Sequence, residues 1–177
     1  MKTLIIYTSQ TGFTKKYAQW LGERMQAEVI DLKEAKRRDS GFYQGFDAIA
    51  FGSWVLGGKA VKSEWFLEKA PTWRGKKLAQ FMVGAMPADA PEIATFLDNA
   101  LNEEQKQYIK AFFCQGGLDY TKMKFPYKQM MKAFSSMTAK KAVTDDEKKM
   151  AEMIASNYDE SDIKFIEPII AYLEGGE

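Results

Sequence analysis

The most informative part of the sequence is Leu4-Ile5-Ile6-Tyr7-Thr8-Ser9-Gln10-Thr11-Gly12-Phe13-Thr14. Its first four residues form a continuous apolar run, which is typical of a buried strand in a parallel sheet. Residues 8–14 are rich in hydroxyl side chains and contain a glycine, and residues 17–25 then carry apolar side chains at helical spacing. The segment therefore predicts a strand, a polar turn and an amphipathic helix in direct succession.

The turn at residues 9–14 has the composition of a phosphate-binding loop. Free backbone N–H groups point outwards at a helix N-terminus, where the helix dipole also favours negative charge. Gly12 allows the backbone to approach a ligand closely, and the hydroxyls of Ser9, Thr11 and Thr14 can donate hydrogen bonds to phosphate oxygens. The alternative is that Thr11 or Thr14 only caps the helix. The position directly after the first strand favours the phosphate interpretation.

The rest of the chain repeats the alternation of strand and helix. Further apolar runs occupy Glu28–Leu32, Ala48–Phe51, Leu78–Val83 and Ile109–Cys114. Segments with helical spacing lie between these runs, and two more helices are predicted after the capping box that begins at Thr144 and near Pro168. The pattern predicts one α/β domain over residues 1–177, a three-layer sandwich whose five-stranded parallel sheet has helices on both faces.

Composition excludes several kinds of chemistry. The chain has 25 Lys and Arg against 24 Asp and Glu, a net charge of +1, which argues against a nucleic-acid partner. It contains no histidine and one cysteine, Cys114, so histidine bases, internal disulfides and iron–sulfur clusters are excluded. Difficult chemistry is therefore expected to come from a bound cofactor. No apolar run approaches the roughly 18 residues of a membrane span, and the low cysteine content predicts a cytoplasmic protein.

With this loop after its first strand, the sequence resembles the flavodoxin family. Ser9, Thr11, Gly12 and Thr14 match the FMN-phosphate loop of that family at every defining position. The resemblance implies noncovalently bound FMN, the strand order 2-1-3-4-5, and an isoalloxazine ring held by the loops after the third and fourth strands.

The resemblance also selects the residues that would contact the flavin. Trp54 is the candidate for stacking on one face of the ring, or alternatively for capping the core. Many flavodoxins place a tyrosine against the other face from the loop after the fourth strand, but this sequence has none there, so that face is expected to be open or covered by Met86 or Tyr120. No catalytic residue and no metal ligand is assigned. The expected cofactor contacts are Ser9, Gln10, Thr11, Gly12, Phe13, Thr14, Ser53, Trp54, Val55, Leu56, Gly57, Gly84, Ala85, Met86, Gly116, Gly117 and Tyr120.

An additional segment, residues 116–143, follows the fifth strand and predicts a helical insert. Within residues 119–142 six lysines stand against Asp119 alone, and the segment is rich in methionine and aromatic residues. Its glycine-rich turn, Tyr120 and the run Tyr127–Lys132 resemble the flavodoxin branch that includes bacterial quinone-dependent protoporphyrinogen dehydrogenases. Because the insert leaves the carboxyl end of the fifth strand, residues 117–141 are expected to border the flavin and to govern access of the electron partner. That partner is an anionic substrate, a membrane surface or a protein. The alternative is a helix folded onto the domain with its lysines in water.

These expectations define three function classes. The first is an FMN oxidoreductase that transfers electrons between a small organic substrate, such as a porphyrinogen, and a quinone or similar acceptor. The second is a flavodoxin-type electron carrier between redox proteins, although a net charge of +1 differs from the strongly acidic character of dedicated carriers. The third is an interaction module that only retains the fold. Neither the oligomeric state nor the electron donor follows from the sequence.

Overall fold

Strands and helices alternate along the chain as the apolar runs predict, and the computed structural model describes residues 1–175. The two C-terminal positions of the expected domain, 176 and 177, lie outside the described residues. The elements are β1 Thr3–Tyr7, α1 Phe13–Met25, β2 Glu28–Asp31, α2 Leu32–Ala35, α3 Ser40–Gln44, β3 Ala48–Leu56, β4 Lys59–Ala60, α4 Ser63–Lys69, β5 Lys77–Gly84, α5 Glu92–Asn99, β6 Ile109–Gln115, β7 Gly117–Leu118, α6 Phe125–Lys141, α7 Asp145–Ala155, β8 Tyr158–Asp159 and α8 Glu167–Leu173.

The main sheet has the order β2-β1-β3-β5-β6, and all of these strands run parallel. The short strand β4 only forms an antiparallel hairpin with the end of β3. Counted without that hairpin, the order is the predicted 2-1-3-4-5. The carboxyl ends of the strands therefore meet at one edge of the sheet, where α/β folds of this kind bind their ligands.

Helices cover both faces of the sheet and form the outer layers of the predicted sandwich. On one face, Phe51 of β3 packs with Phe66 of α4 in a cluster that also includes residues of α2 and α3. On the other face, Tyr17 and Leu21 of α1 pack in a second cluster with Leu173 of α8. Because both faces are covered, the central strands β1, β3 and β5 are almost continuously apolar rather than alternating.

One helix packs differently from the prediction. The capping box at Thr144 is confirmed, but α7 packs mainly against α6 rather than on the sheet. Met150 of its expected apolar face is exposed, and Tyr158 belongs to β8. The apolar residues of α8 cover the sheet instead, and this helix starts beside Pro168 as predicted.

The excursion after β6 is therefore longer than the predicted insert. Strands β7 and β8 pair with each other, with Leu118 opposite Tyr158, and so close the base of the excursion. Residues 119–157, which include both α6 and α7, are called the α6–α7 hairpin below. Among residues 1–175, no helix combines the length and apolar character that a membrane span requires.

Candidate functional site

The loop between β1 and α1 has a conformation that requires glycine. Gly12 caps the helix N-terminus with a φ of 106°, in the left-handed region that side-chain-bearing residues rarely adopt. A Cβ added there would meet nothing within 4 Å, so the requirement lies in the backbone and not in space. The Gly12 N–H donates to the Ser9 Oγ at 3.1 Å, which closes the loop. The first N–H groups of α1 lack a helical partner, as at any helix start, and remain available to a ligand.

The loop also holds a buried hydroxyl that has no partner. The Thr14 Oγ1 is fully buried and makes no hydrogen bond within the described part of the chain. A buried polar group left unpaired costs about 1–3 kcal/mol, so native structures rarely retain one unless a ligand or water satisfies it. Together with the free N–H groups and the glycine, this hydroxyl fits the phosphate group of FMN.

An apolar cavity of about 80 Å³ continues from the loop to the ends of β3 and β5. Eleven of the expected contacts line it: Ser9, Gln10, Thr11, Phe13, Thr14, Trp54, Val55, Leu56, Gly84, Ala85 and Gly117. The register of β3 and β5 brings the ends of the two strands together, because Trp54 lies opposite Val83, one residue before the end of β5. The loop that suits a phosphate and the strand ends that suit an aromatic ring thus share one cavity.

Helix α6 and the turn before it form a wall of the cavity, with three side chains that the sequence analysis did not assign as cofactor contacts. Met123, Tyr127 and Met131 line the cavity at intervals of four residues. Tyr127 meets the Trp54 ring edge to face, with ring centroids 5.2 Å apart and an interplanar angle of 89°. The ring that was expected to stack on the flavin therefore contacts the α6–α7 hairpin. The spacing was visible in the sequence, but local patterns do not reveal which face of a helix packs inwards.

Gln10 connects the loop directly to the hairpin. The Lys124 N–H, at the start of α6, donates to the Gln10 Oε1 at 3.1 Å. The phosphate loop and the wall of the cavity are thus joined across more than a hundred residues of sequence.

Neither Met86 nor Tyr120 is part of the cavity lining, and their contact with the flavin stays a prediction. The Tyr120 hydroxyl donates to the carbonyl oxygen of Ile154 at 2.6 Å, and the Tyr120 N–H donates to the Asn157 Oδ1 at 2.8 Å. These bonds anchor Tyr120 to the end of α7, and burial raises the pKa of its phenol. Met86 is 46% exposed and lies outside the cavity lining.

Four other expected contacts also lie outside the cavity lining. Ser53 is buried within β3, and its Oγ has no hydrogen-bond partner among residues 1–175. Gly57 forms the turn between β3 and β4 with a φ of 56°. Gly116 is packed against Val83, since an added Cβ would lie 2.9 Å from the Val83 Cγ1. Gly12 lines the adjoining basin that Lys15 and other lysines surround.

Hydrogen bonds from β6 and β8 hold the loop after β5. The Tyr158 hydroxyl donates to the Ala85 carbonyl oxygen at 2.9 Å, and the Ala88 N–H donates to the Gln115 Oε1 at 2.9 Å. Burial raises the pKa of Tyr158 to about 12, so this phenol remains a neutral donor near neutral pH. The loop that borders the cavity is thus fixed before any ligand arrives.

Cys114 is not a candidate redox group. It is fully buried, and its Sγ lies 3.8 Å from the Phe165 carbonyl oxygen. Burial raises the pKa of the thiol, which disfavours the nucleophilic thiolate. The interpretation of Cys114 as a small buried apolar residue is confirmed.

Comparison with known proteins identifies the family of this chain. A family model described as "Flavodoxin domain" matches residues 4–145. A curated relative, the flavodoxin-like domain-containing protein BilS of Clostridioides difficile (strain CD3), is 30% identical over 137 residues, which are 75% of each chain.

Solved structures with a related fold include a flavodoxin from the domain Archaea, with 19% identity over 88% of this chain and 100% of that one and a TM-score of 0.45. Another is a flavoprotein in complex with FMN from Lactobacillus acidophilus NCFM, with 20% identity, 64% and 91% of the two chains covered, and a TM-score of 0.44. The family model and the curated relative each cover most of the chain, and on that basis the chain belongs to the flavodoxin domain family.

Proposed function

We propose that this protein binds FMN noncovalently and transfers electrons between a small organic substrate and a quinone or similar acceptor. The observation that carries the proposal is a phosphate-type loop that opens directly into an apolar cavity bounded by Trp54. Bound FMN supplies the redox chemistry in one- or two-electron steps. The chain supplies binding, orientation and exclusion of water.

The phosphate is the group that the loop is best suited to hold. The N–H groups at the start of α1 and the Thr14 hydroxyl donate hydrogen bonds, and the helix dipole adds favourable charge. Residues 9–14 contain no carboxylate that would repel the phosphate. Binding also gives the Thr14 hydroxyl the partner that it otherwise lacks.

The strand ends suit the flavin ring. Val55 and Leu56 present apolar side chains, while Gly84 and Ala85 present backbone next to the cavity. The backbone groups can recognise the polar edge of the ring, and the apolar side chains exclude water from its faces. These roles do not require an ionisable catalytic side chain.

The α6–α7 hairpin has to shift when the ring enters. The cavity has a volume of about 80 Å³, whereas pockets for small ligands usually have volumes of ~300–1,000 Å³. Tyr127 and Met131 stand on the side where the cavity must widen, and unbranched methionine adapts readily to a new partner. Because Ser135 is the only buried residue of α6, the cost of moving this helix is small. The hairpin therefore governs access to the flavin.

The exposed C-terminal half of α6 is the proposed contact for the electron partner. Phe134 and Met137 are 49% and 56% exposed, and Lys128 and Lys132 lie on the same helix. An exposed apolar stripe with nearby lysines suits an anionic membrane surface that holds a quinone. The same surface also suits contact with an electron-transfer protein. An electron carrier between redox proteins is therefore the second candidate function.

The enzymatic proposal is tested with the FMN-loaded protein under anaerobic conditions. After photoreduction, mixing with a menaquinone analogue is expected to reoxidise the flavin fully within seconds, as followed by flavin absorbance. Steady-state oxidation of protoporphyrinogen with the same quinone then tests the porphyrinogen-like substrate that the insert suggests.

Two outcomes would contradict parts of the proposal. If the quinone does not reoxidise the bound flavin, the proposal that a quinone is the electron acceptor is wrong. If quinone reoxidises the flavin but no small donor supports turnover, while reduced protein passes electrons to a redox protein, the carrier function replaces the enzymatic one.

A further inference from the structure

Five lysines from four segments of the chain line one concave basin beside the phosphate loop. The basin has a volume of about 380 Å³ and also includes Thr8, Ser9 and Gln10. This feature is called the lysine basin, and it contains Lys15 of α1, Lys33 of α2, Lys36 directly after α2, Lys62 before α4 and Lys124 before α6.

The positive charge of the lysine basin is not neutralised by the protein. Asp31 is the one acidic residue in its lining, and its carboxylate already accepts the Glu34 N–H at 2.9 Å as a helix cap. Five lysines against one aspartate leave a local charge of +4. Within residues 1–175, none of the five makes an ion pair, whereas Lys16 and Lys106 do so elsewhere. Like charges gathered in a concavity attract anions.

The lysine basin adjoins the flavin cavity, but most of its lining comes from other residues. Its lining includes Asp31 and Lys33, at the end of β2 and the start of α2, and β2 is an edge of the sheet. The flavin cavity lies on the other side of β1, at the ends of β3 and β5. The two linings share only Ser9 and Gln10. Lys33, Lys36, Lys62 and Lys124 belong to segments other than the loop that would hold the FMN phosphate.

We infer that the lysine basin is a second anion site, which binds a small molecule that carries two or more carboxylate or phosphate groups. The number and dispersion of the lysines favour a multivalent ligand, because one monovalent anion cannot neutralise side chains from several segments. The concave shape favours a small molecule over the flat surface of a protein partner. The inference goes beyond the proposed redox function.

Inorganic pyrophosphate is the probe, titrated calorimetrically into FMN-saturated protein at constant ionic strength. We expect one equivalent to bind. The double variant Lys33→Gln/Lys36→Gln should weaken this binding at least tenfold and change FMN affinity less than threefold. Both lysines are exposed, so the variant is expected to fold normally, which circular dichroism checks.

The matched control is Lys140→Gln/Lys141→Gln, which removes two exposed lysines at the end of α6 and lowers the net charge equally. It should leave pyrophosphate binding unchanged. If both double variants weaken pyrophosphate binding equally, the effect comes from the overall charge of the protein, and the inference is overturned. The same conclusion follows if pyrophosphate does not bind the FMN-loaded protein and only competes with FMN for the apoprotein. Should the protein bind no FMN, the titration on the chain alone still tests the basin separately.

Discussion

Replacing Gly12 by alanine is expected to weaken FMN binding at least tenfold. The φ of 106° at this position is strained for any residue with a Cβ, by on the order of 1–3 kcal/mol. The variant can relieve that strain by rotating the backbone of the loop, which turns the N–H groups away from the phosphate. A tenfold loss corresponds to about 1.4 kcal/mol, within the range of the strain. Titration of apoprotein with FMN, followed by flavin fluorescence, measures the change.

Gly75 provides the matched control because its backbone conformation is similar but its location is remote. Its φ is 96°, an added Cβ would meet nothing within 4 Å, and it lies in the turn before β5, outside the lining of the cavity. Gly75→Ala should therefore lower stability by a similar amount and leave FMN affinity unchanged. Equal FMN affinities in the Gly12 and Gly75 variants would contradict the role of the loop.

Excising the α6–α7 hairpin is expected to leave FMN bound but to slow its reaction with a quinone at least tenfold. This test rests on the proposed function. Because Leu118 and Tyr158 face each other in the β7–β8 pair, residues 120–156 can be replaced by Gly-Ser, which leaves a tight two-residue turn between Asp119 and Asn157. The phosphate loop and the strand ends remain, so FMN affinity should fall less than tenfold. Stopped-flow reoxidation by a menaquinone analogue measures the effect.

Ferricyanide is the control acceptor, since a small soluble oxidant needs no docking surface and should react at least as fast after excision. A second variant, Phe134→Ser/Met137→Ser, keeps the hairpin and removes only exposed apolar side chains. It should also slow the quinone reaction. An unchanged quinone rate in both variants would show that the hairpin has no part in partner contact. Loss of FMN from a folded excision variant would show instead that α6 is required to hold the flavin.

The fold was predictable because its signals are local. Each parallel strand is an apolar run such as Leu78–Val83, and the starts of α7 and α8 carry a capping box and a proline. The packing of α7 was not predictable in this way. A capping box at Thr144 sets where the helix begins, but nothing local indicates that α6 rather than the sheet covers it.

The same difference between local signals and long-range contacts applies to the candidate site. The loop at Ser9–Thr14 could be predicted because the groups that bind an anion at a helix N-terminus come from adjacent residues. The contribution of Tyr127 depends on its long-range contact with Trp54, and Met123 and Met131 line the same cavity. Their spacing in the sequence indicated only an apolar helix face. Tyr120 was assigned to the flavin by family resemblance, and its bond to Ile154 shows that an aromatic residue after β6 can serve the excursion instead.

The β1–α1 loop is expected to hold the phosphate of FMN. Parallel titrations of the apoprotein with FMN and with riboflavin, which lacks the phosphate, test this role of the loop. The account predicts that FMN binds at a 1:1 ratio with quenched fluorescence and at least a hundredfold more tightly than riboflavin, because the helix-start N–H groups and the Thr14 hydroxyl act only on the phosphate. Equal affinity for the two flavins, or no binding of either, would contradict it.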